Sequence, residues 1–299
     1  MLSVVEGGLP VDIIFHPDWW HTHYGMDFRE PFHFDPGIRV ESERRMRQAL
    51  FDRFGDLGLG EENAQPRPVV GPVHLAIGFV VQAMLGCQVR FHEGAAPWVL
   101  CAHLTEAEIW NLEVPDLKST TPMRETIAMM DGLETEFGCL EGDIPWDGVQ
   151  NIGLDLRGQQ LFLDYYDNPQ MVHHLFDVIA RTTFQVADYV RRRTGTSSIS
   201  LNRIVASVDR CINLHSNCSV QMISQPTYEE FLLPYECWLA ERLAPYGIHH
   251  CGDNLEHVAA AYARVPNLAF VDVGWGSDVE ASRHALPEAF FSLRLNPAR

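Results

Sequence analysis

Apolar and polar positions alternate with two different periods along this chain, and the second half shows it most clearly. Short apolar runs at 199–205, 211–215, 247–250, 268–273 and 290–295 have strand length and composition. Between and before them, apolar residues recur at helical spacing over 169–193, 226–243, 255–263 and 278–285. Asn168-Pro169 supplies a start signal for the long helix at 169–193. The first half is less regular. A short apolar strand at 11–15 runs into the loop His16-Pro17-Asp18-Trp19-Trp20-His21, which is followed by an irregular lid over 25–36. A charged amphipathic helix is predicted at 40–54, a Gly/Pro-studded loop at 55–71, a helix at 72–85 stopped by Gly86, and a strand at 87–92. The pattern over 105–137 is mostly helical, with breaks near Pro115 and Pro122.

Strands alternating with helices at this rhythm predict βα units around a parallel sheet. The later strands each end in polar or glycine-rich residues: Ser216-Asn217-Cys218, Cys251-Gly252-Asp253, Gly274-Trp275-Gly276-Ser277-Asp278 and Asn296-Pro297. A (β/α)8 TIM-type barrel concentrates its chemistry in such loops, so α/β of that kind is the expected fold, as one domain over 1–299. An open doubly wound sheet is the second choice, since no glycine-rich phosphate loop follows an early strand. No internal repeat is evident.

Composition narrows the function classes. The chain has 299 residues, 46% hydrophobic and 21% charged, and its 40 acidic against 22 basic residues give a formal net charge of −18. That charge repels phosphate backbones and anionic lipid surfaces, so neither nucleic acid nor membrane is an expected partner. No apolar run is long enough to span a bilayer, and no secretory signal opens the sequence. Seven scattered cysteines do not read as a disulfide scaffold, and a reducing cytoplasm is the expected location. Fourteen histidines, with His16, His21, His23 and His33 close together, raise the expectation of metal or acid/base chemistry.

The sharpest chemical signal is Gly247-Ile248-His249-His250-Cys251-Gly252-Asp253-Asn254. Side chains alternate faces along a strand, so His249 and Cys251 point the same way, about 7 Å apart. An imidazole and a thiol together suit zinc, which favours nitrogen and sulfur in a tetrahedral shell. A half-buried histidine beside a structural cysteine is the alternative reading of the same spacing. Asp272 or Asp278 is placed to orient His249 through its second ring nitrogen. At the other wall, His16, Asp18, Trp19 and Trp20 follow the first strand, with Asp18 and His16 as candidate acid/base residues and Trp19 as a surface for a flat or cationic ligand. The alternative for the tryptophans is that they anchor the amino-terminal lid.

Met222-Ile223-Ser224-Gln225-Pro226-Thr227-Tyr228-Glu229-Glu230-Phe231-Leu232-Leu233-Pro234-Tyr235, followed a dozen residues later by His249-His250-Cys251-Gly252, resembles the uroporphyrinogen decarboxylase superfamily. Gly158 with Asn168-Pro169, and Ala83-Met84-Leu85-Gly86-Cys87 before a strand, are weaker matches to the same pattern. The resemblance covers roughly residue 72 to the end, and implies the (β/α)8 barrel. Tetrapyrrole decarboxylases of that superfamily bind substrate carboxylates with an Arg-Gln-Ala-Gly-Arg segment. This chain keeps Arg47-Gln48-Ala49 but lacks the glycine and second arginine, and the charged helix around Arg44 and Arg45 reads instead as a solvated face.

The other branch comprises zinc-dependent methyltransferases that work with corrinoid proteins, and His249 and Cys251 match its ligand pair. The resemblance thus implies a zinc-dependent methyltransferase moving a methyl group between a small-molecule donor or thiol acceptor and a cobalamin-type corrinoid held by a partner protein. A metal-independent decarboxylase is the alternative. The branch's third ligand is a cysteine in a loop near the carboxyl terminus; the sequence ends at Arg299 before such a loop, as a truncated chain or one whose site is completed otherwise. Cys218, ending the preceding strand, is the expected substitute, with Asn217 and Trp275 as substrate-binding candidates and His215 as a further inward-facing possibility. Cys87, Cys101, Cys139, Cys211 and Cys237 are expected in the core.

Overall fold

The computed structural model describes residues 13, 15–71, 78–195 and 212–294. Two short antiparallel strands, β1 (Gln88–Arg90) and β2 (Trp98–Leu100), form a small ribbon. The main sheet is parallel and ordered β3 (Asn213–Ser216), β4 (Tyr246–His250), β5 (Leu268–Val273), β6 (Phe290–Leu293). Each strand pairs with the next in sequence, and helices fill the connections: Gln225–Phe231 and Leu233–Arg242, then Ala259–Tyr262, then Val279–Ala285. This is the βα rhythm the hydrophobic pattern predicts. The sequence pattern marks 226–243 as one helix, but the structure breaks it at Leu232, just before Pro234 in the second segment's first turn.

β3 and β4 are buried on both faces, as strands inside a parallel sheet are, while the last strand, β6, is only half-buried. Ile212, Leu214 and Phe270 form a separate small apolar cluster on one face, supported by Ala269 and Phe290. Gly247 lies among them: a Cβ there would meet Ile212 Cγ2 at 2.7 Å and Leu214 Cδ1 at 2.9 Å, so the strand has no room for a side chain at that point. Tyr246, Ile248, Val271 and Val273 join the large core cluster under the helices. Above the apolar layer, the next residues toward the strand ends are Ser216, His249 and Asp272, in lateral register across β3, β4 and β5.

Two further extended segments lie alongside. Val69 and Glu141 make a parallel bridge, with Val70 N–H donating to Glu141 O at 2.9 Å. Gly148 rests on the end of β3, where a Cβ would come within 1.5 Å of Ser216 O. The structure is therefore mixed α/β with a four-stranded parallel sheet among the described residues. Eight-strand closure is not seen among them, and the strand expected at 199–205 lies outside them.

The longest helix, Pro169–Thr194, agrees with expectation, with Pro169 at its start, Gly195 closing it in the left-handed region (φ 73°) and three arginines in the last turn. Asn168 does not cap it with its side chain, which reaches Glu106 and Met171 instead. Of the helix expected at 72–85, the segment Val80–Met84 is helical, and 72–77 lie outside the described residues. The charged helix begins four residues earlier than expected, at Pro36–Phe54, where Asp35 accepts from Ile38 N–H at 2.8 Å. Its expected solvated face is partly wrong: Met46 and Ala49 are buried, and Arg47 turns inward to Glu61 and the Gln65 carbonyl.

The amino-terminal region differs most from expectation. Residues 11, 12 and 14 of the expected first strand lie outside the described residues, and Phe15 is in no strand. The expected loop over 16–21 is instead the helix Pro17–Tyr24, started by proline and ended by Gly25 at φ 60°. The expected lid over 25–36 contains the helix Glu30–Phe34 and buries Met26, Phe28 and Phe32 to the level of the core, at 1%, 0% and 1% exposure. Apolar residues at that density are drawn into the interior whatever the regularity of the backbone. Cys87 is in the core as expected, Cys101 and Cys237 are half-buried, Cys139 is exposed, and Cys211 lies outside the described residues.

Candidate metal centre

Cys218, His249 and Cys251 converge. Their ligand atoms all lie within 4.8 Å of one another. Ligands on a tetrahedral zinc stand about 3.3–3.8 Å apart, so side-chain adjustment alone is enough to close the set on an ion. His249 comes from the end of β4 and Cys251 from the residue after it, where the chain leaves the sheet. Cys218 arrives from the turn after β3, held by backbone: Asn217 N–H donates to His249 O at 2.7 Å, which extends the β3–β4 ladder by one residue. Ser216 Oγ lies 3.2 Å from Cys218 Sγ.

The polar surroundings suit a metal ligand. His249 Nδ1 is 2.5 Å from Asp272 Oδ2, both fully buried, which assigns the proton to Nδ1 and leaves the Nε2 lone pair for the cysteines. Arg294 donates to the same Asp272 oxygen from Nη2 at 2.8 Å and Nε at 3.1 Å. Burial works against a charged His249, but the Asp272 hydrogen bond and Cys218 outweigh it and raise its pKa. Cys251 is shifted the other way: the hydrogen bond from Cys218 lowers it, against the effect of burial, and the charge of Arg294 adds to the lowering. Cys218, which keeps its proton beside the Cys251 sulfur and is itself buried, is pushed up. The two thiols are thus unequal, with Cys251 the more acidic. Sulfur, sulfur and imidazole nitrogen with one further position free is the donor set of a catalytic zinc site, and these residues fit that ion.

The other candidates distribute differently. Asn217 is buried and engaged, donating to Glu236 Oε1 at 2.6 Å and facing the Tyr262 hydroxyl at 3.3 Å; its side chain supports the sheet from the helix side. His215 faces that same side, with Trp146 at 5.0 Å between ring centroids and Glu236 3.6 Å away, so the structure does not turn it toward the cysteines. Trp275 stands in the loop after β5, 41% exposed. His16 and Asp18 pair with each other at 2.9 Å with side chains 69% and 72% exposed. Trp19 packs into an aromatic group with Phe15, Trp20, Tyr24 and Phe54, with the Arg53 guanidinium 5.4 Å from its ring, which is the anchoring alternative.

Sequence reasoning missed Arg294, Asp147, Asp155 and Gln82. Asp147 precedes the Gly148 that abuts β3, and its carboxylate interacts electrostatically with His215 and His249. The Asp147-Gly148 pair at the end of an extended segment was the available signal.

No family model matches the chain, and no curated protein matches it in sequence. In structure it is similar to a methyltransferase from Methanosarcina mazei, with a TM-score of 0.66 over 97% of this chain and 80% of that one, at 12% identity. At that identity the likeness shows a shared fold.

Proposed function

We propose that this protein is a zinc-dependent methyltransferase. The observation that carries the reading is the convergence of Cys218, His249 and Cys251 at the carboxyl ends of adjacent parallel strands, with Asp272 orienting His249. The fold shared with a methyltransferase supports it. The same reading includes closure of the sheet into a (β/α)8 barrel, with the site at its carboxyl-end face. A corrinoid carried by a partner protein, and a small-molecule methyl donor or thiol acceptor, complete the proposed reaction.

Bound zinc supplies a soft Lewis acid that holds a thiol as thiolate or polarises a methyl donor. The protein's own residues prepare for it. Asp272 fixes the His249 ring and tautomer, so that Nε2 faces the cysteines without reorganisation. Arg294 partly neutralises Asp272 and tempers the basicity it gives to His249. Cys251 is the more acidic of the two thiols, and both would hold zinc as thiolates.

The test is transfer of the methyl group of free methylcobalamin to 2-mercaptoethanol, with the zinc content of each preparation measured alongside. The reading expects transfer that scales with zinc content and is lost in Cys251→Ser. Transfer that is independent of zinc contradicts it, as does metal-free protein that instead releases carbon dioxide from a tetrapyrrole carboxylate.

A further inference from the structure

Arg39, near the start of the helix Pro36–Phe54, is 1% exposed. Its guanidinium carbon lies 4.3 Å from the centroid of the Phe32 ring, so an aromatic face covers one side of the group. Nε and Nη1 are buried and have no hydrogen-bond partner. Among the described residues Arg39 forms no ion pair. The acid whose charge acts on it is Glu43, one turn further along the same helix. Burial lowers the guanidinium pKa to about 10, with Glu43 opposing, so the side chain keeps its charge at neutral pH.

Arg39 lines a cavity of about 30 Å³, where the helices Glu30–Phe34 and Met123–Phe137 meet the segments around Val70 and Ile144. None of the metal-centre residues lines it. Two other polar side chains do, among the described residues, and neither carries a charge. His33 is a neutral imidazole: burial, and after it the Arg39 charge, push its pKa well below the usual value, and its Nε2–H donates to Phe28 O at 3.2 Å. Thr126 spends its hydroxyl hydrogen on Pro122 O at 3.0 Å. The cavity therefore combines one positive charge, unspent N–H donors and no acid in its described wall. A buried cation is costly unless it is both paired and hydrogen-bonded. The space holds about two waters by volume, and a small anion of that size supplies the acceptor and the charge together. We propose that Arg39 binds a small monovalent anion of chloride size in this cavity, as a structural site that ties the amino-terminal helices to the chain around Val70 and Ile144. A doubly charged oxyanion such as sulfate is too large for it, and the apolar remainder of the wall gives a second negative charge no partner.

The test is urea unfolding of the full chain over a series of sodium chloride concentrations, with sodium gluconate holding the ionic strength constant and sodium formate and sodium sulfate as further arms. An anion that binds the folded state alone raises stability with its concentration relative to its dissociation constant. The expected result is a chloride-dependent rise in the unfolding midpoint that gluconate does not reproduce and that Arg39→Gln loses. Sulfate strengthens apolar burial in general, so its effect should survive in Arg39→Gln. Crystals of the parent protein soaked in sodium bromide give a readout that needs no variant, and an anomalous peak at hydrogen-bonding distance from Arg39 Nη1 is expected there. A larger effect of formate than of chloride supports the site and makes its occupant a carboxylate. A chloride effect no greater than that of gluconate, one that persists in Arg39→Gln, or density for water alone beside the guanidinium overturns the inference.

Discussion

Asp272 accepts the Nδ1–H of His249 at 2.5 Å, and neither side chain is open to solvent. The two residues are direct neighbours across β4 and β5, so the orientation of the imidazole is built into the register of the sheet. A ligand fixed this way loses little entropy on binding metal, and removing its partner typically costs about ten- to a hundredfold in metal affinity. Asp272→Asn should weaken zinc binding by about that factor, measured by chelator competition. An unchanged affinity would mean that the pair is structural only.

Gly148 is expected to tolerate no side chain. A Cβ there would fall 1.5 Å from Ser216 O, an atom of the sheet backbone that cannot rotate away. Gly148→Ala should lower stability by about 3 kcal/mol in urea denaturation, near the upper end for forced overpacking. A variant as stable as the parent would show that this segment does not pack on β3.

Replacing His16 or Asp18 should change little. Their side chains are largely solvent-exposed and, among the described residues, paired only with each other, and exposed ion pairs contribute about 0–1 kcal/mol. His16→Ala and Asp18→Asn should leave methyl transfer within twofold of the parent. A loss of a hundredfold or more would return the pair to the active site.

The Asp155 carboxyl gives a pH signature. Its pKa in the folded protein is about 6, against an unfolded value of about 3.9, so between those values the folded state holds the proton more tightly. That raised value makes its contribution to stability fall as pH rises from about 4 to about 6. Asp155→Asn lacks the titration, so its stability relative to the parent should increase between pH 4.5 and pH 7. A difference that is constant with pH would contradict a buried, titrating Asp155.

How much of this was legible in the sequence depends on how local each signal is. His249 and Cys251 share a strand end, and the period-two alternation of β4 is enough to align them. Cys218 was legible too, because β3 and β4 are consecutive and their ends coincide. Asp272 was one of two candidates, and the lateral register of β5 decides between it and Asp278, which instead caps the helix Val279–Ala285. Gln82, Asp147 and Asp155 come from separate segments up to 73 residues apart, and no periodicity relates them. The amino-terminal helix Pro17–Tyr24 was hidden by its composition, since tryptophan and histidine are weak helix formers and the proline that starts it reads equally as a turn.

The central claim is that three side chains of this chain hold a catalytic metal, and cobalt(II) substitution tests it most directly. Cobalt takes the same tetrahedral nitrogen and sulfur donors and reports each thiolate by a charge-transfer absorption at about 300–400 nm. The account predicts about one cobalt per chain with an intense sulfur band, roughly halved in Cys218→Ser and in Cys251→Ser, and a weakened affinity in His249→Ala with the fold intact. A parent protein that binds no cobalt, or whose sulfur band survives both cysteine substitutions, would contradict it.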